Sequence, residues 1–472
     1  MAAPQQEPPE RLESRILRSP DVLVSLIAAI AFGFGDGLPG KHPAAVGMSA
    51  KRLAAIDRVV GRGIRAGGYP GASVIIGRRG AAVFSKGYGR MSWTKDATRV
   101  DPDASIYDLA SLTKVIGTTT AAMILYDEGR LSLDARVVEY LPAFTGGWKD
   151  SVTIRQLLTH RSGLPASRDL WKLATNPQEA RLGVIDAMLQ CRPGVCFEYS
   201  YLGMVLLGMV VENISGMGLD RFLHERVFEP LGMTSTFFRP ADSLRSRIAP
   251  TDVSPPRGYP LRGEVADENA YALGGIAGHA GLFSTASDIS VFAQMMLNGG
   301  EYNGTRIVSD STIALFTRRT AGTRALGWDT AEDNGGGSGA YLSGRSYGHT
   351  GYTGTSLWID PDRELFVVLL TNRVHAARAR RPAKVISDVR ADVADLAALA
   401  VTDDPQHVLA MPRAFRADKA SGWNRPTRIQ RSKSSKNRRG ARRVTTKKSV
   451  KAPVKKPAAK SGAAATSTRL RG

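Results

Sequence analysis

Two hairpin patterns stand near opposite ends of the apolar part of this chain, and they constrain its fold more than any other feature. "ASVIIGRRGAAVFSKGYG", residues 72–89, reads as strand, Arg-Arg-Gly turn, strand. "TSLWIDPDRELFVVLLTN", residues 355–372, repeats the pattern around Asp360-Pro361-Asp362. A helical pattern precedes the first hairpin, with Leu53, Ile56, Val60 and Ile64 on one face and Gly67-Gly68 as its stop. Another follows the second hairpin from Ala383. From Leu112 to about Asn298 the apolar spacing is mostly helical, as in "LGMVLLGMVVENISG" and "ASDISVFAQMMLNGG". The expected architecture is α+β: one antiparallel sheet built from both ends of the chain, flanked by N- and C-terminal helices, with an all-helical lobe inserted. The segment 332–346, "EDNGGGSGAYLSGRS", reads as a flexible loop before a further strand.

Within this frame one four-residue spacing suggests chemistry. Ser111 and Lys114 open the run "SLTKVIGTTTAAMILYDEG", where Leu112, Val115, Ile116, Thr119 and Met123 trace one helical face and Gly129 is the stop. A serine at a helix start sits where unpaired N–H groups favour negative charge. A lysine three residues on faces the same way, and partial burial would leave its amine neutral and able to take the serine proton. A capping serine beside a solvated lysine gives the same spacing without chemistry. The other Ser-x-x-Lys, Ser92 to Lys95, lies in a polar stretch with no helical run and reads as a solvated loop.

The net charge of +21 would suggest nucleic-acid binding if it were spread over the chain. It is not: residues 413–472 hold 20 Lys or Arg against the one acid Asp418, and the other 412 residues hold 44 basic and 42 acidic groups. The expected division is therefore a folded body at 46–410 and a disordered basic tail at 411–472, too poor in apolar residues to fold and suited to polyanions. Residues 1–45 are expected to be a signal peptide and leader, since the apolar stretch at 22–35 follows Arg15 and Arg18 and has the length of an export signal rather than of a membrane span. That predicts a periplasmic or secreted protein. Cys191 and Cys196 flank the turn "RPGV", so a small local disulfide and two idle thiols are both open.

Two later segments complete a constellation: Tyr199 in "CFEYSYLGMVLLG" and His349-Thr350-Gly351-Tyr352 at the entry to the second hairpin. Ser-x-x-Lys, then Tyr-Ser-x, then a basic residue before Thr-Gly, in this order, resembles the penicillin-recognising serine hydrolases, above all the class C β-lactamase and low-molecular-weight penicillin-binding-protein branch. "LLTHRSGLP", "PLGMTST" and "GGIAGHAGLFSTASDISVFAQMMLNGG" are similar to connecting segments of that branch, and the resemblance spans about residues 50–400. It implies the β-lactamase/transpeptidase-like fold, Ser111 as the acylated nucleophile, and acid–base work shared by Lys114 and Tyr199. It implies an oxyanion hole from the backbone N–H groups of Ser111 and Tyr352. His349, Thr350 and Gly351 would line the substrate site, His349 standing where lysine is usual and supporting Tyr199 or a substrate carboxylate. Tyr201 takes the place of an amide-binding asparagine.

No cofactor or metal is called for, and no paired-histidine metal spacing or Gly-x-Ser-x-Gly elbow occurs. His160 and His279 read as structural, hydrogen-bonded within loops. The expected substrate is an ester, a D-amino-acid peptide or amide, or a β-lactam. A peptidoglycan-binding protein of the same fold, and a nucleic-acid-associated protein acting through its tail, are the rival readings.

Overall fold

The computed structural model describes residues 37–331, 337–403, 409–420 and 422–424. The apolar stretch at 22–35 and the basic run from 425 onward lie outside the described residues, as do 332–336.

Helix α1 (Ala55–Arg65) leads into β1 (Gly71–Arg78) and β2 (Ala81–Gly89). Arg79 and Gly80 both adopt positive φ, which joins two right-twisted strands by a two-residue turn. After the helical lobe the chain returns as β3 (Asp329–Thr330), β4 (Tyr347–Thr350), β5 (Ser356–Asp360) and β6 (Leu365–Thr371), and it runs on into α2 (Pro382–Ala400). The sheet order is β2-β1-β6-β5-β4-β3, antiparallel throughout, so the two ends of the chain meet at β1 and β6, with Ile75 opposite Val368. This is the sheet built from both chain ends that the two distant hairpins predict, and the β-lactamase/transpeptidase-like arrangement that the resemblance implies.

The central strands are buried at every position because both faces are covered. Leu365, Val367 and Leu369 join a core with α1 and α2, while Phe366, Val368 and Leu370 face the helical lobe and its larger core. The lobe's longest described helix, Tyr201–Ser215, is capped by Ser200, whose hydroxyl accepts the Gly203 N–H, and it ends at Gly216 with φ 72°.

Both expected boundaries of the folded body move outward. Pro39–Lys41 runs beside Ala82 of β2, exchanging two backbone hydrogen bonds with it, and Leu38 is buried, so the body begins well before residue 46. At the other end Phe415, Ala417 and Trp423 are buried in the α2 core. The Trp423 indole donates to Asp388 at 2.7 Å, and Arg416 pairs with Asp395 at 2.6 Å. Local composition hides this because the anchoring acids lie on α2, not in the basic segment. Likewise the described part of the 332–346 loop is docked: Ser338 and Ser346 are buried, and the Ala340 and Tyr341 N–H groups donate to Asp395. Ending the chain after Asn424 should therefore leave thermal stability unchanged. Ending it after Pro412, or making Trp423→Ala, should cost about 3 kcal/mol or more in denaturant unfolding.

Candidate active site

Ser111 stands at the end of a turn that the rest of the site holds in tension. Ala110, just before it, has φ +48°, a left-handed conformation costly for a residue with a Cβ. Asp108 accepts the Ala110 N–H at 2.8 Å with one carboxylate oxygen and the Ala266 N–H at 2.7 Å with the other. From the opposite side Thr353 and Thr355 donate to the Asp108 and Leu109 carbonyls at 2.7 and 2.9 Å. Gly351 is glycine for this contact: a Cβ there would lie 2.0 Å from Thr355 Oγ1 and 2.5 Å from the Leu109 carbonyl. Its missing side chain makes room for the serine turn.

Lys114 follows as the first residue of a π-helical stretch, Lys114–Thr119, that continues as the α-helix Thr120–Asp127. The run is buried all round rather than on one face. The Lys114 amine lies 2.9 Å from Ser111 Oγ and donates to the His279 carbonyl at 2.9 Å. Burial brings its pKa down to about 7; Asp267 and Asp329 pull it upward and Arg324 pushes it further down.

Tyr199 brings its phenol within hydrogen-bonding reach of Ser111, and burial raises its pKa far enough to keep it protonated at neutral pH. Two histidine rings flank it, His160 at 4.6 Å and His349 at 5.9 Å between centroids. His160 Nδ1 accepts the Ser200 N–H at 3.1 Å, which places its own proton on Nε2. His349 Nδ1 lies 2.8 Å from the Thr350 carbonyl and must be the protonated nitrogen, leaving Nε2 as a buried lone pair with no hydrogen-bond partner among the described residues, Asp329 Oδ2 standing 3.8 Å away. Burial, Arg324 and Lys114 together push the His349 pKa well below the usual imidazole value. A neutral ring offering a lone pair does not attract a carboxylate, and the contact that His349 makes with Tyr199 is a stacked ring. His160 and His279 are hydrogen-bonded as expected, but both belong to this site. Tyr201 stacks on His279 at 5.4 Å and puts its ring 4.7 Å from the Lys114 amine, where the usual asparagine would present an amide.

Ser111, Tyr199, Tyr201, His349, Thr350, Gly351 and Tyr352 line one cleft of about 340 Å³. Tyr352 forms its exposed rim, and neither its backbone N–H nor that of Ser111 has an acceptor among the described residues. Among the described residues the Ser92 hydroxyl bonds only Thr94, in a run of bends. Four charged cleft residues escaped the motif reading: Arg324, Asp329, Arg373 and Arg390. Arg324 lies 2.6 Å from Asp329 and 5.1 Å from the Tyr199 ring centre. Arg390 donates to the Gly351 and Thr355 carbonyls at 2.6 and 2.8 Å, its Nε has no hydrogen-bond partner among the described residues, and burial together with Arg373 lowers its pKa to about 9. One signal was available: Arg390 interrupts the apolar face of Ile386, Val389 and Val393. Just before Tyr199, a disulfide joins Cys191 to Cys196, whose Cα atoms are 6.5 Å apart. Among the described residues no group of three or more His, Cys, Asp or Glu side chains could hold a metal ion.

The family model described as "Beta-lactamase" matches residues 56–415. A protein of Escherichia coli (strain K12) described as "Putative D-alanyl-D-alanine carboxypeptidase" is 32% identical over 384 residues, covering 72% of this chain and 86% of its own. Among solved structures, "EstCE1, a hydrolase with promiscuous acyltransferase activity" superposes with a TM-score of 0.59 at 23% identity, over 72% of this chain and 98% of that one. A penicillin-binding protein homologue from Caulobacter crescentus gives 0.56 at 21% identity, over 69% and 93%. These two likenesses are of fold; with the family match and the curated relative they fix the relationship, and the chain belongs to the beta-lactamase family of hydrolases.

Proposed function

We propose that this protein is a serine acyl hydrolase in which Ser111 is the nucleophile, Lys114 the general base and Tyr199 the proton relay. The Lys114 amine 2.9 Å from Ser111 Oγ, buried and with a pKa of about 7, carries this reading. Neutral Lys114 takes the serine proton as Oγ bonds to the substrate carbonyl carbon. The Ser111 and Tyr352 N–H groups face the oxygen that gains charge. As the carbon–leaving-group bond breaks, the proton returns to the leaving group through the Tyr199 hydroxyl. Water then attacks the acyl ester by the reverse route.

The substrate class best supported is a D-amino-acid peptide with a free carboxylate, as in the relative's name. Arg373 and Arg390 bring two cations to the cleft, and Asp329, its acid, is taken up by Arg324. A carboxylate would relieve the repulsion between the two arginines. Placement of Tyr201 against His279, which removes the usual amide partner, favours a second reading, ester hydrolysis. Both are separated by assaying D-alanyl-D-alanine peptides, their C-terminal amides, p-nitrophenyl esters and a chromogenic β-lactam. On the carboxylate reading, amidation should cost on the order of 10–100-fold in kcat/KM, the worth of a charged hydrogen bond, and Arg373→Met should shrink that gap. Equal rates on acid and amide, with esters faster than both, would leave the ester reading.

Export is part of the proposal, supported by the apolar stretch at 22–35 and the Cys191–Cys196 bridge. The run from Arg425, with 17 Lys or Arg and no acid, would then meet anionic envelope polymers. Retention on heparin that falls steeply with salt and vanishes on removal of residues 425–472 is expected.

A further inference from the structure

Lys114 is held from behind by a segment that the motifs do not include. Residues 277–282 run along its helix: His279 offers its carbonyl to Lys114, Gly278 offers its carbonyl to Thr118 at 2.7 Å, and the Leu282 N–H donates to Thr113 at 3.1 Å. On the other side the segment presses against the helix Tyr201–Ser215. A Cβ on Gly278 would lie 2.0 Å from the Met204 carbonyl, so the segment has no lateral play. The His279 side chain is fixed as well. It is 1% exposed, its Nε2 lies 2.9 Å from Asp267 Oδ1, and Tyr201 stacks on its ring. The same Asp267 oxygen accepts the Ala270 N–H at 2.8 Å, tying this anchor to the helix Glu268–Ala272.

We propose that Asp267 and His279 are positioning residues for Lys114: His279, locked by Asp267, aims the amine at Ser111, while the Asp267 carboxylate opposes Arg324 in setting the field at that amine. This rests on the reading of Ser111 and Lys114 as the reacting pair. A neutral amine has one lone pair and two N–H bonds. Donating one N–H to the His279 carbonyl helps turn the lone pair toward Ser111 Oγ, so the orientation of a backbone oxygen governs proton transfer. The charges facing the amine come from several elements. Asp267 and Asp329 favour its protonation, and Arg324 opposes it. His349 and His160 also feel the lysine, and both are kept neutral by burial first and then by Arg324 and Lys114. Tyr199 and Tyr201 present ring faces to it at 5.1 and 4.7 Å. Burial alone would raise the Asp267 pKa, but His279, the Ala270 N–H and Lys114 bring it below the usual carboxylate range, so Asp267 is charged throughout the working range.

The test is the pH dependence of kcat/KM for a small activated ester, measured on the full chain. Removing the negative charge with Asp267→Asn should move the acid limb to lower pH by on the order of one unit, because the amine then loses its proton more readily. Arg324→Gln should move it to higher pH. Asp267→Glu should restore the wild-type limb at least in part. A merely structural role would lower rates at all pH values and leave the limb in place. A folded Asp267→Asn with an unmoved limb, or the two charge variants shifting in the same direction, overturns the proposal. If Asp267→Asn does not fold, Arg324→Gln and Asp267→Glu decide it: an unmoved limb in the first overturns it too. Labelling of the wild type by a phosphonate at a serine other than Ser111 would instead defeat the parent reading.

Discussion

Replacing Ser111 by alanine is expected to abolish covalent labelling by a fluorescent phosphonate and to lower hydrolysis on the order of 10⁴-fold or more, the scale of losing a nucleophile from a coupled catalytic unit. Ser92→Ala should change neither. The contrast tests position rather than composition, since both serines have lysine three residues on. Ser92 bonds Thr94 at 3.1 Å in a run of bends, and Lys95 is exposed, so nothing there neutralises an amine or holds an oxyanion. Ser111 sits beside a buried amine, at the end of a left-handed turn held by Asp108, Thr353 and Thr355. The alanine variant should remain folded, because only its hydroxyl is lost and the turn is held by other residues. Full labelling of Ser111→Ala, with the label found elsewhere, would overturn the assignment.

The fold was legible because its constraints are local. The strand–turn–strand patterns of the two hairpins and the helical spacing between them are sequence-neighbour patterns, and a sheet joined from both ends follows from where they stand. Ser111, Lys114, Tyr199 and His349 were legible for a different reason: each belongs to a short motif that resembles a known family. What tunes them was not legible. Arg324 and Arg390 line the cleft and Asp267 stands behind it on His279, each on a separate segment, and their effect on Lys114, His349 or the cleft charge depends on distances between elements that no spacing encodes. The charge state of His349 shows the difference. As a residue type it could be a weak substitute for lysine, and only its burial beside Arg324 keeps it neutral, while the Thr350 carbonyl fixes which nitrogen carries the proton. The tail boundary was missed for the same reason, since Arg416 and Trp423 find their acids on α2.

Lys114→Met and Tyr199→Phe should each cost on the order of 10²–10⁴-fold in acylation, the range for loss of a positioned acid–base group. Their double variant should cost little more than the worse single one, because both act on one proton. On the proposed reading the two divide the work. A phenol kept protonated by burial is a poor base at neutral pH, whereas an amine with a pKa of about 7 is half neutral there. The sign of the pH dependence follows. Below that value Lys114 is an ammonium without a lone pair and acylation falls; above it the neutral form dominates and the rate levels off. Lys114→Arg is the sharpest test. It keeps a cation beside Ser111, but a guanidinium does not give up its proton in this range, so it should be as slow as Lys114→Met and should lack the acid limb. Tyr199→Phe should keep the limb near pH 7 at a reduced plateau, since the base remains and only the relay is gone. If instead Lys114→Arg retained near-normal acylation while Tyr199→Phe erased the limb, the lysine would be serving as a fixed charge and the tyrosine as the base, and the two roles would have to be exchanged.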